Sequence, residues 1–409
     1  MKLHTQIFLA MGLGVAAGAI LGERAQYVDF LGEIFILLLK MIIAPLILAS
    51  IVTGVANIGD VSRLGKLGGK TVLYYALTTW TAIIVGLILV NVLKPGVGVD
   101  ATLSDLSQGA AVTDAMARGP GEFIRDQIHT TIQNPFAALA NTQVMAIIFF
   151  SLLLGGVLAT MGEKTAAVTR FFADFNEAIM KLTGWIMKLA PIGVFALIAE
   201  VVGVEGLGVL KSVGKYVLTV VIGLTIHAAL LLTVFLGGAG KMAARRFLAG
   251  MRSALAIAFS TASSSSTLPV TMECVTDNLN VSTRTASLVL PLGATVNMDG
   301  TALYESVAAI FVAQAYGIEL GLGAQALIFL TATVAAVGAA GIPSAGLVTM
   351  TIVLSAVGLP LEGAALIYGV DRFLDMFRTA VNVMGDSVGA VVIARSEGED
   401  FAAPAVTGG

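Results

Sequence analysis

Charge is scarce in this sequence: 12% of its 409 residues are charged, 23 of them basic and 26 acidic. A soluble domain of this length needs far more charge to cover its surface. With 57% hydrophobic residues, the chain reads as a membrane protein. Cysteine occurs once, as Cys274, which excludes an internal disulfide framework and a cysteine metal site. The three histidines, His4, His129 and His227, are scattered and suggest no metal cluster. A net charge of −3 gives no basis for nucleic-acid binding.

Glycine is plentiful, but its motifs are not nucleotide sites. "GKLGGKT" (Gly65 to Thr71) has one spacer residue too few for a phosphate loop and precedes an apolar helix. "GLGVAAG" (Gly12 to Gly18) reads as small-residue helix packing in lipid. The N-terminal run is long for a signal peptide and reads as a retained first helix.

Apolar windows long enough to span a bilayer run at 5–22, 28–56, 71–93, 137–160, 172–202, 208–236, 283–315 and 362–394. Arg63, Lys66 and Lys70 fall in one loop, and Lys241, Arg245, Arg246 and Arg252 in another. The loop between 95 and 135 is acidic, with Asp100, Asp105, Asp114, Glu122 and Asp126. Positive loops stay in the cytoplasm, so the acidic loop faces outward. Eight crossings then leave both termini inside.

Two apolar segments do not read as straight spans. Residues 253–275 hold a polar centre, "STASSSSTLP", and residues 323–360 hold "GAAGIPSAG" (Gly338 to Gly346). Short apolar arms around a helix-breaking tip suggest re-entrant hairpins, whose irregular backbone needs protein or a water-filled cavity around it. Each precedes a polar helix, "GATVNMDGTALYE" and then "DRFLDMFRTAVNVMGD". Paired interrupted segments of this kind point to a transporter binding site.

In the second helix Asp371, Asp375, Arg378, Asn382 and Asp386 fall at offsets 0, 4, 7, 11 and 15. At about 100° per residue they occupy a sector of roughly 80°, with Thr379 at its edge. A charge at mid-bilayer costs on the order of 2.5–3.5 kcal/mol, so this stripe belongs to a buried site. Pairing of Asp375 with Arg378 at i, i+3 accounts for two of the charges. It leaves Asp371, Asp386 and the neighbouring helix's Asp299 expecting other cations, for which Na⁺ suits carboxylate and backbone oxygens.

Together "SSSSTLP", "NMDGT", "GIPSAG" and "DRFLDMFRTAVNVMGD" resemble, in order, the dicarboxylate/amino acid:cation symporters. These include the excitatory amino-acid transporters and archaeal aspartate transporters. The likeness covers essentially the whole chain, from "MIIAPLILASIVTGV" (Met41 to Val55) onward. It implies an all-α polytopic fold of eight transmembrane helices and two re-entrant helical hairpins, built from inverted repeats and working as an elevator in a homotrimer. Scaffold helices 1 and 2 would span 1–60 and scaffold helices 4 and 5 would span 137–204. Helix 3 of the transport unit would span 61–95, and 96–136 would form the extracellular loop. The rest of the transport unit would occupy 205–396, with hairpins at 240–278 and 322–360, ahead of a cytoplasmic tail at 397–409. The location would be the cell (inner) membrane.

The resemblance also assigns residues. Asp375 would meet a substrate ammonium. Asn382 and the tip around Ser263 and Ser264 would meet its α-carboxylate. Arg378, with Thr301, Thr379 and Gly346, would hold a side-chain carboxylate, which a planar guanidinium reads bidentately. One Na⁺ would use Asp386, Asn382 and backbone near Gly293 and Asn297. A second would use Asp299, Asn297, Tyr75, Thr78 and Thr79, and a third backbone near Thr295, Ala336, Val337 and Ala339. Glu305 is a candidate to carry H⁺. Relatives carry a further arginine where this chain has Ala262 or Met376.

The implied function is symport of glutamate and aspartate into the cell with Na⁺, with H⁺ as a candidate second coupling ion. A proton-coupled dicarboxylate carrier or a neutral amino-acid carrier shares the fold, but Asp375 argues against the first and Arg378 against the second. An anion channel or a non-transporting sensor is the alternative from another class, opposed by the buried cation ligands. No activated nucleophile or metal constellation suggests an enzyme.

Overall fold

Long apolar stretches leave a backbone in lipid with few ways to satisfy its own N–H and C=O groups, and every regular element among the described residues is helical. The computed structural model describes residues 3–62, 66–98, 128–129, 131–205, 209–338 and 345–400. The first helices are α1 (Leu3–Leu21), α2 (Asp29–Ser62), α3 (Lys66–Leu93), the short α4 (Pro135–Ala140) and α5 (Val144–Met161). Then come α6 (Ala166–Met187), α7 (Ala190–Glu205) and α8 (Val209–Leu230), which runs on as a π-helix over Leu231–Gly240. The second half holds α9 (Ala244–Thr261), α10 (Ser264–Glu273), α11 (Thr283–Val296) and α12 (Asp299–Ala315). It ends with α13 (Leu322–Gly338), α14 (Ala345–Ala356) and α15 (Ala365–Ser396).

Among the described residues four helical stretches are long and apolar enough to cross a membrane: Leu67–Leu93, Ala146–Ile186, Lys211–Gly240 and Ile367–Ser396. Shorter apolar helices accompany them, as expected of a multi-pass membrane protein.

Three windows read as single helices are each broken in two. The window 137–160 breaks at residues 141–143, between α4 and α5. The window 172–202 breaks at Lys188–Leu189, between α6 and α7. Pro191 sits in the first turn of α7, where its missing N–H costs nothing and its fixed φ favours a helix start. The window 283–315 breaks at Asn297 and Met298, both with non-helical dihedrals. The tip of the second irregular segment, residues 339–344, lies outside the described residues, as do residues 99–127 of the acidic loop.

Helices α1 and α2 pack against α7, and α2 also against α5 and α6. Gly18 of α1 lies so close to the Ala199 carbonyl of α7 that a Cβ would overlap it, which is the close backbone approach read from "GLGVAAG". Helix α3 packs on α8 and α12, while α9 folds back on α10 and α13 on α14. Helix α15 touches α8, α9, α11 and α12. Its apolar window is 72% buried, against 33% for each of the other three spanning stretches. The most charged helix is thus the one the others enclose, as desolvation requires.

Beyond the end of α15 the chain clasps its neighbours. Lys70 Nζ donates to the Ser396 carbonyl at 3.0 Å and pairs with Glu397, placing a cation at a helix C-terminus. Glu399 accepts from Ser282 N (2.9 Å), Ser282 Oγ (2.6 Å) and Thr285 Oγ1 (2.7 Å), so it serves the N-terminus of α11. Partial burial works against ionising Glu399, but these bonds and the nearby Arg284 outweigh it and hold the carboxyl below its ordinary 4.5. A depressed carboxyl stabilises the fold above its unfolded pKa and loses that contribution as pH falls through the folded one. Glu399→Gln is therefore expected to cost about 1 kcal/mol at neutral pH. The cost should shrink as pH drops below about 4.5, read as the difference in thermal unfolding between the two proteins.

Candidate functional site

The stripe residues of α15 are buried together: Asp371, Asp375, Arg378, Thr379, Asn382 and Asp386 each expose 7% or less. Among the described residues Arg378 is one of the largest fully buried side chains. Its Nη2 donates to Asp375 Oδ1 at 2.9 Å, and its Nη1 lies 2.9 Å from Asp371 Oδ1. The second approach does not meet hydrogen-bond geometry, so it is a Coulombic pair. Asp371 therefore has its cation inside the stripe, contrary to the expectation that it lacked one. Two helical turns separate it from Arg378, and the long guanidinium arm reaches back toward the helix N-terminus. The guanidinium carbon also stacks 3.8 Å from the centroid of the Tyr304 ring.

Gly346, in the first turn of α14, faces this guanidinium closely enough that a Cβ would meet Nη1 at 2.9 Å. Only a residue without a side chain lets α14 approach Arg378 so nearly. Ser263 caps α10 by accepting from Ser266 N at 3.2 Å, and both Ser263 and Ser264 are buried. The turn before them places Ala262 at φ +51°, a left-handed conformation that costs a non-glycine residue.

One turn further along, Asn382 stitches α15 to the break between α11 and α12. Its Oδ1 accepts from Gly300 N at 2.7 Å and its Nδ2 reaches Thr301 Oγ1 at 3.4 Å. The amide thereby satisfies an N–H that the start of α12 leaves free, which is the physical reason the helix can break there. Asn297, at the break, donates through Nδ2 to Asp386 Oδ1 (2.9 Å) and accepts at Oδ1 from Thr78 (3.3 Å). Asp299 accepts from Thr79 Oγ1 at 2.9 Å and has His227 Nε2 3.1 Å from its Oδ2. The Tyr75 hydroxyl donates to the Val289 carbonyl at 2.6 Å. A Cβ on Gly293 would strike both Asp386 and this hydroxyl.

Two fully buried carboxylates, Asp299 and Asp386, thus flank one amide among hydroxyls and carbonyls. Among the described residues no lysine, arginine or histidine pairs with Asp386, and no three His, Cys, Asp or Glu side chains cluster as for a transition metal. The donor set is oxygen-rich and suits a hard cation of low charge.

The third group of candidate ion ligands is less gathered. Thr295 is exposed, and its hydroxyl donates to its own helix at Leu292 O. Ala336 is buried near the end of α13, and the Val337 carbonyl faces Gly54 of α2. Ala339 lies outside the described residues. Glu305 is fully buried on α12, and neither of its oxygens has a hydrogen bond. Thr349 of α14 stands beside it, but that hydroxyl donates to the Ala345 carbonyl instead.

Sequence reasoning missed His227, Tyr304 and Arg372. His227 is fully buried in the apolar second half of α8, beyond Lys211 and Lys215 of its first turns, and an ionisable residue at such depth in a membrane helix is a signal of function. Arg372 leaves α15 beside the stripe and reaches Asp375 Oδ2 at 3.5 Å.

The sequence matches the sodium:dicarboxylate symporter family over residues 3–396. It is 38% identical to the proton/sodium-glutamate symport protein of Geobacillus stearothermophilus, over 96% of this chain and 94% of that protein. It is likewise 38% identical to the proton/sodium-glutamate symport protein of Bacillus subtilis (strain 168), over 97% of this chain and 93% of that protein. Identity to excitatory amino acid transporter 3 of Homo sapiens is 38%, over 94% of this chain and 83% of that protein.

Proposed function

This chain belongs to the sodium:dicarboxylate symporter family, and on that premise we propose that it carries glutamate and aspartate into the cell on a Na⁺ gradient. The family is one of transporters, so the chain is no enzyme. The observation that carries the reading is the buried Arg378–Asp375 pair. An acidic amino acid presents the same two charges: its side-chain carboxylate can replace Asp375 on Arg378, and its ammonium can replace Arg378 on Asp375. The exchange leaves neither Arg378 nor Asp375 without an opposite charge, which a buried ion pair demands; the substrate's third charge, its α-carboxylate, is left to neutral hydrogen-bond donors. Asn382 and the turn at Ser263 and Ser264 then receive the α-carboxylate, with Thr301, Thr379 and Gly346 lining the side-chain end.

Two Na⁺ sites follow from the same logic. One uses Asp386, Asn382 and the backbone near Gly293 and Asn297. The other uses Asp299 with Asn297, Tyr75, Thr78 and Thr79. A third, built on backbone near Thr295, Ala336, Val337 and Ala339, belongs to the same proposal. The first ion site shares Asn382 with the substrate site and Asn297 with the second ion site, so filling one orders the ligands of the others. Glu305 lies fully buried without a hydrogen bond, and a bare carboxylate there is costly. It therefore crosses the membrane protonated. Glu305→Gln is expected to keep Na⁺-driven uptake while losing its response to an imposed pH difference. A variant that keeps the wild-type pH response would take the proton elsewhere.

The architecture proposed for this work has eight spans, with α9–α10 and α13–α14 as re-entrant hairpins in inverted repeats. Helices α1, α2, α5, α6 and α7 form a scaffold, and the remainder moves as an elevator. Three copies assemble through the scaffold in the cell membrane, with both termini cytoplasmic. Native mass spectrometry in mild detergent is expected to show trimers, and monomers or dimers across concentrations would contradict that assembly. Concentrative uptake of labelled aspartate into proteoliposomes tests the function itself.

A further inference from the structure

Arg372 stands one residue off the ionic stripe, and its guanidinium bridges the stripe and the end of α9. Nη2 donates to the Thr261 carbonyl at 3.3 Å, and Nη1 lies 3.5 Å from Asp375 Oδ2. Thr261 is the last residue of α9, and its carbonyl is one that a helix end leaves without an internal partner. A cation there also meets the negative end of the helix dipole. The next residue, Ala262, turns the chain with its left-handed φ of +51° and delivers Ser263 and Ser264. Close by, Phe259 of α9 packs edge-on to Phe377 of α15, with ring centroids 5.1 Å apart. The Arg372 side chain is only 14% exposed, so its contacts are weakly screened.

Asp375 therefore has one oxygen on Arg378 and the other toward Arg372. When a substrate carboxylate takes Arg378, Arg372 is the cation that remains. We infer that Arg372 is a positioning residue for the substrate site. It holds Asp375 aimed at the ammonium, and it fastens the turn at Ala262–Ser264 to α15 while Arg378 changes partner. The inference rests on Asp375 as the ammonium acceptor.

Its geometry makes a relocation test possible. Met376 lies four residues after Arg372, on the same side of α15, and is partly buried. Helical side chains lean toward the N-terminus, so an arginine at 376 returns its guanidinium toward Asp375.

The experiment has two arms in purified protein and proteoliposomes. In the first, Arg372→Met is expected to raise KM for aspartate about tenfold, the worth of one charged contact, with kcat little changed. Adding Met376→Arg should bring KM back to within about threefold of wild type. In the second arm, Ser264→Cys in a Cys274→Ala background is labelled with a thiol reagent in the absence of substrate. Buried Ser264 should label several-fold faster once Arg372→Met releases the turn. If Arg372→Met fails to fold, Arg372→Lys serves in both arms. Its compact ammonium cannot bridge both partners, so an intermediate KM and labelling rate are expected. Unchanged KM and labelling in Arg372→Met, or in Arg372→Lys where that stands in, would overturn the inference. So would a well-folded double variant whose KM stays high. Absence of aspartate uptake by the wild type would instead refute the substrate reading, while the labelling arm would still decide the tether.

Discussion

Arg378→Cys should abolish aspartate uptake and leave serine as the better substrate. Arg378 is fully buried and pairs with Asp371 and Asp375. Removing the guanidinium deletes the group that reads a second carboxylate. Losing one partner of a buried charge pair costs about 2–5 kcal/mol, which is on the order of a hundredfold or more in affinity for an acidic substrate. A neutral amino acid keeps its ammonium contact with Asp375 and asks nothing of position 378. Loss of the guanidinium also strips Asp371 of its cation and leaves Asp375 facing Arg372, which will lower stability by about 3–5 kcal/mol, so the uptake result needs a folding control. Serine uptake supplies it, because a variant that moves serine is folded. Aspartate uptake at wild-type affinity in this variant would show that the carboxylate is read elsewhere.

Asp386→Ala should remove most Na⁺ drive. The carboxylate is 3% exposed, and its described side-chain partner is the neutral amide of Asn297 at 2.9 Å. An uncompensated charge at that depth requires a cation. A charged ligand contact is worth about 2–3 kcal/mol, so apparent Na⁺ affinity is expected to fall on the order of a hundredfold. It is measured as the Na⁺ concentration for half-maximal aspartate uptake. Asn297 keeps only its Thr78 bond, and because Asn382 belongs to both this ion site and the substrate site, substrate affinity should weaken as well. Wild-type Na⁺ dependence in Asp386→Ala would remove this residue from the ion site.

Much of this site was legible in the sequence because ionisable residues in a lipid-embedded helix have few bland explanations. The offsets of Asp371, Asp375, Arg378, Asn382 and Asp386 put them on one face, and the structure buries them as one row. Chain order also placed "NMDGT" against that row, where Asn382 and Asp386 do meet Gly300 and Asn297. What escaped were partners set by packing. His227 meets Asp299 across 72 residues of sequence, and nothing local to "LTIHAAL" announces it. Arg372 lies off the stripe's sector, and only the length of its side chain brings it back to Asp375. The break at Asn297–Met298 was hidden because it contains neither proline nor glycine. It is held by the Asn382 amide from another helix, so its cause is tertiary. The turn at Ala262 was equally hard to locate, since alanine rarely signals a positive φ.

The most direct measurement is uptake of labelled aspartate by wild-type proteoliposomes under an imposed Na⁺ gradient, an imposed proton gradient, or neither. The account predicts concentrative uptake whenever Na⁺ is higher outside, competed by unlabelled glutamate but not by succinate or serine. Uptake driven only by the proton gradient would contradict it, as would accumulation of succinate in place of aspartate.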